Sequence, residues 1–358
     1  MNNVYTVSAA PHLKERISVR SVMWQVVIAL TPAFLAAIYF FGFRALMLTV
    51  YTIAAAVITE AVIQKLRKQP VTISDGSAVV TGMLLAFNVH AGVPWWLPVI
   101  GAVFAIGIGK HIFGGLGHNP FNPALIGRAF MVASWPTLMT TGWITPEPAF
   151  RIATGIKSTI NGLTHLPANI PDVITSATPL GVAKTLRDAS QISPELADIV
   201  MNRLTSMDTL FQLFWGNIGG CLGEVSAVAL LLGAGFLAAK HIIEWRIPLS
   251  YIGTVFILTL IFGGIDGLFS ASVLLPFFHI FSGGLILGAF FMATDMVTSP
   301  VTKRGRIYFG IGCGILTVVI RLAGGYPEGV TYSILLMNIA VPLIDRYTVP
   351  NPFGEVKK

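Results

Sequence analysis

The threonine that ends Asp172-Val-Ile-Thr-Ser-Ala-Thr178 and is followed by Pro179 is the residue whose setting most suggests chemistry, because it lies in a long polar loop between apolar blocks. Pro179 turns the residue before it away from the α region and suits a first helical position, so Thr178 is expected to cap a short helix running to about Leu186. Threonine is a preferred cap, and capping alone would account for it. Its hydroxyl is also expected to face solvent. A phosphate carried there would meet the unpaired N–H groups and positive dipole of the helix start, with Lys184 and Arg187 one or two turns on.

A second constellation is Gly114-Gly115-Leu-Gly117-His118-Asn119-Pro120-Phe-Asn122-Pro123, which precedes a short apolar run. Asn119 and Asn122 lie three apart, share a face if that stretch is helical, and can each donate to and accept from the edge of a heteroaromatic ring. Backbone capping is the plainer role for both. Acids at or within apolar segments form a third group, since a charge in hydrocarbon is costly and suggests function by default. Glu60, Asp75, Glu224, Asp295 and Asp345 are candidates to bind or relay a cation, with Arg128 and Arg321 as available counter-charges. Asp345 beside Arg346 also reads as an interfacial ion pair. The histidines lack metal-ligand spacing, and Cys221 and Cys313 read as buried thiols rather than part of a cluster within this chain. No P-loop, dinucleotide fingerprint or hydrolase nucleophile motif occurs.

The elements that must position these groups are membrane-embedded. Of 358 residues, 54% are hydrophobic and only 11% charged, with mean hydropathy +0.76, whereas soluble domains carry about a quarter charged residues. At roughly 20 residues per crossing the chain has room for about ten spans and a loop domain. Apolar stretches fall near 22–42, 45–63, 75–89, 94–109, 121–135, 222–242, 248–265, 274–294, 307–323 and 330–345, several interrupted by Gly and Pro. Lysines and arginines near span ends, Lys14, Arg20, Lys65, Lys110, Lys240 and Lys303 among them, cluster on one side if the N-terminus is cytoplasmic. Topology thus explains the net charge of +7 without nucleic acid, and the loop after the fifth span becomes extracytoplasmic. The expected organisation is a cytoplasmic start (1–21), a first membrane half (22–135), a loop bearing Thr178 (136–210), a second half (211–346) and a cytoplasmic tail (347–358). Five spans per half would make the halves inverted, an arrangement that places sites between broken helices.

Asp172-x-x-Thr-Ser-Ala-Thr178, Asn119-Pro-Phe-Asn122-Pro-Ala, Gly223-Glu224-Val-Ser226, Phe291-Met-Ala-Thr294-Asp295 and Gly324-Gly325-Tyr-Pro-Glu328-Gly329 together resemble the NqrB/RnfD family over nearly the whole chain. The short start, Ser8-Ala-Ala-Pro-His12 soon followed by the first span, is more similar to RnfD than to NqrB. The resemblance implies an all-α polytopic membrane protein of about ten helices in two inverted, urea-transporter-like halves in a bacterial inner membrane. It implies FMN esterified through its phosphate to Thr178 by a flavin transferase, and a second flavin, riboflavin, held non-covalently near Asn119 and Asn122. Ser176 stands where many members have glycine. The implied role is that of the RnfD component of the Rnf complex, which couples electron flow between ferredoxin and NAD to Na+ or H+ movement. Implied partners are an extracytoplasmic FMN subunit, iron–sulfur subunits and the lipid bilayer. The NqrB component of the sodium-translocating NADH:quinone reductase, and a urea-type channel with no redox role, are the alternatives.

Overall fold

A computed structural model describes residues 18–144, 178–189, 203–216, 218–262, 274–325 and 328–349. The pattern Asp172–Ala177, the start at Ser8–His12, the tail beyond 349 and the Tyr326–Pro327 pair lie outside the described residues. The described residues form helices and no strand.

Two long helices open the chain, α1 (Val19–Phe41) and α2 (Phe43–Leu66), jointed at Gly42. Ser18 caps α1 by accepting from the Ser21 N–H at 3.2 Å, the usual solution for an orphan donor at a helix start. Next come three shorter helices, α3 (Ser77–Phe87), α4 (Trp96–His111) and α5 (Pro123–Ser134), and then α6 (Pro136–Thr140). The last turns of α4, Ala105–His111, are π-helical. Next among the described residues come α7 (Pro179–Ala189), α8 (Met207–Trp215), α9 (Ala227–Ala239) and α10 (Arg246–Phe262). The bent pair α11 (Leu274–Phe281) and α12 (Leu285–Met292) precedes α13 (Lys303–Ala323) and α14 (Val330–Thr348).

Each of the ten apolar stretches carries a helix. Among the described residues three helices, α1, α2 and α13, are long and apolar enough to cross a membrane, and a fourth crossing results if α11 and α12, bent by 68°, count as one. At 1.5 Å per residue the eleven residues of α3 reach only ~16 Å, about half of a hydrocarbon core. Such a broken helix exposes backbone groups that lipid cannot satisfy, so protein must supply partners. Here the turn after α3 meets the loop before α9. Leu222 N–H donates to Val89 O and Gly223 N–H to Phe87 O, both at 2.9 Å. His90 and Cys221 thereby form an isolated antiparallel bridge.

Packing across the long loop depends on small residues, as expected where lipid is as apolar as the helices themselves. A β-carbon on Gly233 of α9 would lie 1.9 Å from Ala29 O of α1. The core is one continuous cluster spanning α1 to α14, with Leu30, Phe87, Leu97, Tyr251 and Phe309 fully enclosed. A smaller cluster of Leu180, Val182, Leu204, Leu210, Leu213, Leu275 and Phe278 docks α7 and α8 onto α11. That second cluster fixes Thr178 in place.

Candidate functional site

Thr178 is the N-cap of α7. Its hydroxyl oxygen accepts from the Gly181 N–H at 3.2 Å, and its carbonyl accepts from Val182 at 2.9 Å. In contrast to the solvent-facing position expected from the sequence, Thr178 is only 9% exposed. The apolar side of α7 packs on α11 and draws the helix start down against it. Lys184, expected near the hydroxyl, instead donates to Gly324 O at 2.7 Å and ties α7 to the end of α13.

Thr178 stands at a cavity of about 20 Å³ that it shares with Gly219, Gly220, Glu224, Phe281 and Gly283. That is room for a water molecule and not for a tricyclic ring. A group esterified to Thr178 would therefore have to lie over the cavity rather than in it. At the start of α7 Pro179 has no N–H, and those of Gly181 and Val182 donate to Thr178 itself, so of the first turn only the Leu180 N–H is not committed to Thr178 and open to a phosphoester.

Beneath this cavity lies a buried charge network. Glu224 Oε2 accepts from Cys221 N–H at 3.4 Å, while its Oε1 is buried without a hydrogen-bond partner. A β-carbon at Gly284 would sit 3.0 Å from that oxygen and 3.8 Å from a nitrogen of Arg128, so the turn between α11 and α12 leaves space over the carboxylate. Arg128 of α5 pairs with Glu328 and donates to Asn88 Oδ1 at 2.5 Å. Arg321 of α13 donates to the carbonyls of Glu328, His279 and Ser282 at 3.0, 2.5 and 3.3 Å. Cys221, Glu224 and Glu328 bring possible ligand atoms within 4.8 Å of one another. Two guanidiniums nevertheless balance the two carboxylates already, which leaves no net negative charge to hold a divalent ion.

A larger cavity, about 100 Å³, opens between α1, α3, α9 and α12. Asn119 and Asn122 both line it, although neither is helical and no shared helical face exists. Asn122 caps α5, accepting from Ala124 N–H at 3.0 Å, and donates to Met292 O at 3.3 Å. Asn119 donates to Phe121 O at 3.0 Å, and its Oδ1 is buried with no protein partner. The unpaired Asn119 oxygen, with Ser77, Lys110 and Asp295 on the same walls, offers polar contacts to the N–H edge of a heteroaromatic ring at the mouth of this cavity.

Four of the acids singled out in the sequence have different surroundings. Glu60, 1% exposed, is bound by Lys110 Nζ at 2.7 and 2.9 Å. Asp295 accepts from Val297 N–H at 3.4 Å and Thr298 hydroxyl at 3.3 Å. Asp345 accepts from Val301 N–H at 3.1 Å and is half-buried. Only Glu224, of these four, keeps a buried oxygen unpaired. Lys110, a span-end charge by its sequence, proves 1% exposed, and Asn88 and Glu328 join the network although their spacing from Arg128 gives no local signal.

A family profile described as NQR2, RnfD, RnfE matches residues 6–354. The D subunit of the Na(+)-translocating ferredoxin:NAD(+) oxidoreductase complex of Acetobacterium woodii is 46% identical over 354 residues, covering 98% of this chain and 96% of that protein. The D subunit of the proton-translocating counterpart in Clostridium ljungdahlii is 44% identical over 98% of this chain and 97% of its own length. The D subunit of the ion-translocating oxidoreductase complex of Aliivibrio salmonicida is 36% identical over 99% of both chains.

Proposed function

Because this chain belongs to the NQR2, RnfD, RnfE family, we propose that it is the flavin-carrying membrane subunit of an Rnf-type complex, an ion-translocating oxidoreductase exchanging electrons between ferredoxin and NAD. Two relatives of nearly equal identity are named for such complexes, one for Na+ and one for protons. The subunit sits in a bacterial inner membrane with both termini cytoplasmic and the Thr178 loop outside. Ten spans in two inverted, urea-transporter-like halves complete the architecture. Its partners are the other membrane subunits, an extracytoplasmic FMN subunit, iron–sulfur subunits and the transferase that installs FMN.

Thr178 is the proposed attachment point, through a phosphoester, of FMN. The observation that carries this is its position: a hydroxyl at the start of α7, beside a cavity floored by Glu224. Bound FMN supplies one- or two-electron chemistry, and the protein supplies placement and electrostatics. The Leu180 N–H and the positive end of the α7 dipole orient the phosphate. Arg128 and Arg321 offset negative charge that gathers near the Thr178 cavity. Glu224, with its unpaired oxygen, is the acid best placed to take up a monovalent cation or proton as that charge grows. Riboflavin in the larger cavity, with Asn119 and Asn122 at its edge, is the proposed second carrier.

Peptide mapping and intact mass of the chain from cells with active flavin transferase test the assignment. A Thr178 peptide heavier by one flavin phosphate supports it; an unmodified Thr178 removes the electron-carrier reading and leaves a solute pathway.

A further inference from the structure

Two π-helical segments occur among the described residues, Ala105–His111 and Gly288–Met292, and residues of both line the larger cavity. Such segments are rare and appear mostly at functional sites. The first of them delivers Lys110, an ammonium 1% exposed. Its three protons meet three acceptors, Glu60 Oε1 at 2.7 Å, Glu60 Oε2 at 2.9 Å and Ser77 Oγ at 2.7 Å. Ser77 in turn donates its hydroxyl proton to Asp75 Oδ1 at 2.6 Å. Lys110 and Ser77 both line the cavity, and Glu60 does not.

Next to Glu60 stands His111, 3% exposed, with Nε2 at 3.7 Å from Glu60 Oε1 and neither ring nitrogen in a hydrogen bond. Arg67 donates to the His111 carbonyl at 2.7 Å. On the opposite wall Asp295 is occupied by Val297 N–H and the Thr298 hydroxyl. A lysine is thus stored on a flexible four-carbon stem between a carboxylate behind the wall and an apolar cavity in front. Its carboxylate partner has a second basic neighbour in reserve.

We infer that Lys110 is the counter-ion of the larger cavity, a positioning residue that turns from Glu60 toward negative charge arriving on a reduced heteroaromatic occupant and so raises that occupant's reduction potential. This rests on the reading of the cavity as a flavin site. No bond is made or broken. One electron from the complex's reduced donor adds one negative charge, and Lys110 keeps its three protons while exchanging one anionic partner for another. His111, with Nε2 3.7 Å from Glu60 Oε1, is the basic neighbour left to Glu60 meanwhile. In a low-dielectric setting the attraction over a few ångströms is large enough to bias the equilibrium about tenfold, or ~59 mV for a one-electron step.

The test uses the full-length chain in detergent, with Thr178→Ala to remove covalent flavin; acid extraction of one aliquot counts the flavin bound, and spectroelectrochemical titration of the intact remainder reads its potential. Glu60→Gln frees Lys110 and should raise the potential by about the tenfold equivalent. Lys110→Met combined with Glu60→Gln removes the pair as a unit and should bring the potential below that of Glu60→Gln alone. Ser77→Ala takes away one acceptor without changing a charge, so it folds more readily and should shift the potential in the same direction as Glu60→Gln by less. Flavin present with equal potentials in all these variants overturns the role of Lys110 while leaving the cavity reading intact. Chains with no extractable flavin before either pair mutation overturn the cavity reading, and the inference with it.

Discussion

Arg128 of α5 and Glu328, just ahead of α14, form a largely buried ion pair joining two distant parts of the sequence. Asn88 Oδ1 accepts a second bond from the same guanidinium, so the turn after α3, helix α5 and the segment before α14 meet at one side chain. Removing one partner of a buried pair leaves the other uncompensated, which costs about 3–5 kcal/mol, whereas removing both costs far less. Arg128→Met and Glu328→Gln should each lower the thermal midpoint of the detergent-solubilised chain sharply. The double variant should recover much of the loss; equal loss in the double would show the pair to be dispensable and the singles to act by another route.

Thr178→Ala should abolish ultraviolet fluorescence of the denatured band while the chain still folds. The lost cap costs only about 1 kcal/mol at one short helix, and the Leu180–Phe278 cluster that docks α7 remains. A fluorescent Thr178→Ala band would place the flavin elsewhere.

Glu224→Gln should change the Na+ or proton dependence of electron transfer in the assembled complex, and Asp345→Asn should leave it unchanged. The distinction rests on the unpaired buried oxygen of Glu224 against the half-buried, backbone-bonded carboxylate of Asp345. Ion titration of turnover in the two variants measures it. Matching responses would dissociate the cation from the Thr178 cavity.

Tyr251, Thr317 and Ser333 close a triangle of hydroxyls between α10, α13 and α14, with separations of 2.6, 3.0 and 2.8 Å. Tyr251→Phe should cost about 1 kcal/mol, seen as a modest fall in thermal midpoint with electron transfer unaffected.

Gly233→Leu should prevent α9 from approaching α1 and reduce the yield of folded chain, because its β-carbon would overlap Ala29 O. Gly235→Ala on the same helix meets open space and serves as the neutral control.

The amino-acid sequence alone determined the polytopic character, the positions of ten apolar helical stretches and the helix start at Thr178, because hydropathy, proline geometry and capping act within a few neighbouring residues. Its family was legible for the same reason, in short motifs such as Asn119-Pro-Phe-Asn122. Tertiary structure alone decided that α7 folds its threonine inward, that α11 and α12 bend by 68°, and that Lys110 belongs to Glu60 and Arg128 to Glu328. Those pairings join residues far apart along the chain, where spacing carries no signal. A charge buried at membrane depth takes the partner that packing brings within hydrogen-bond reach.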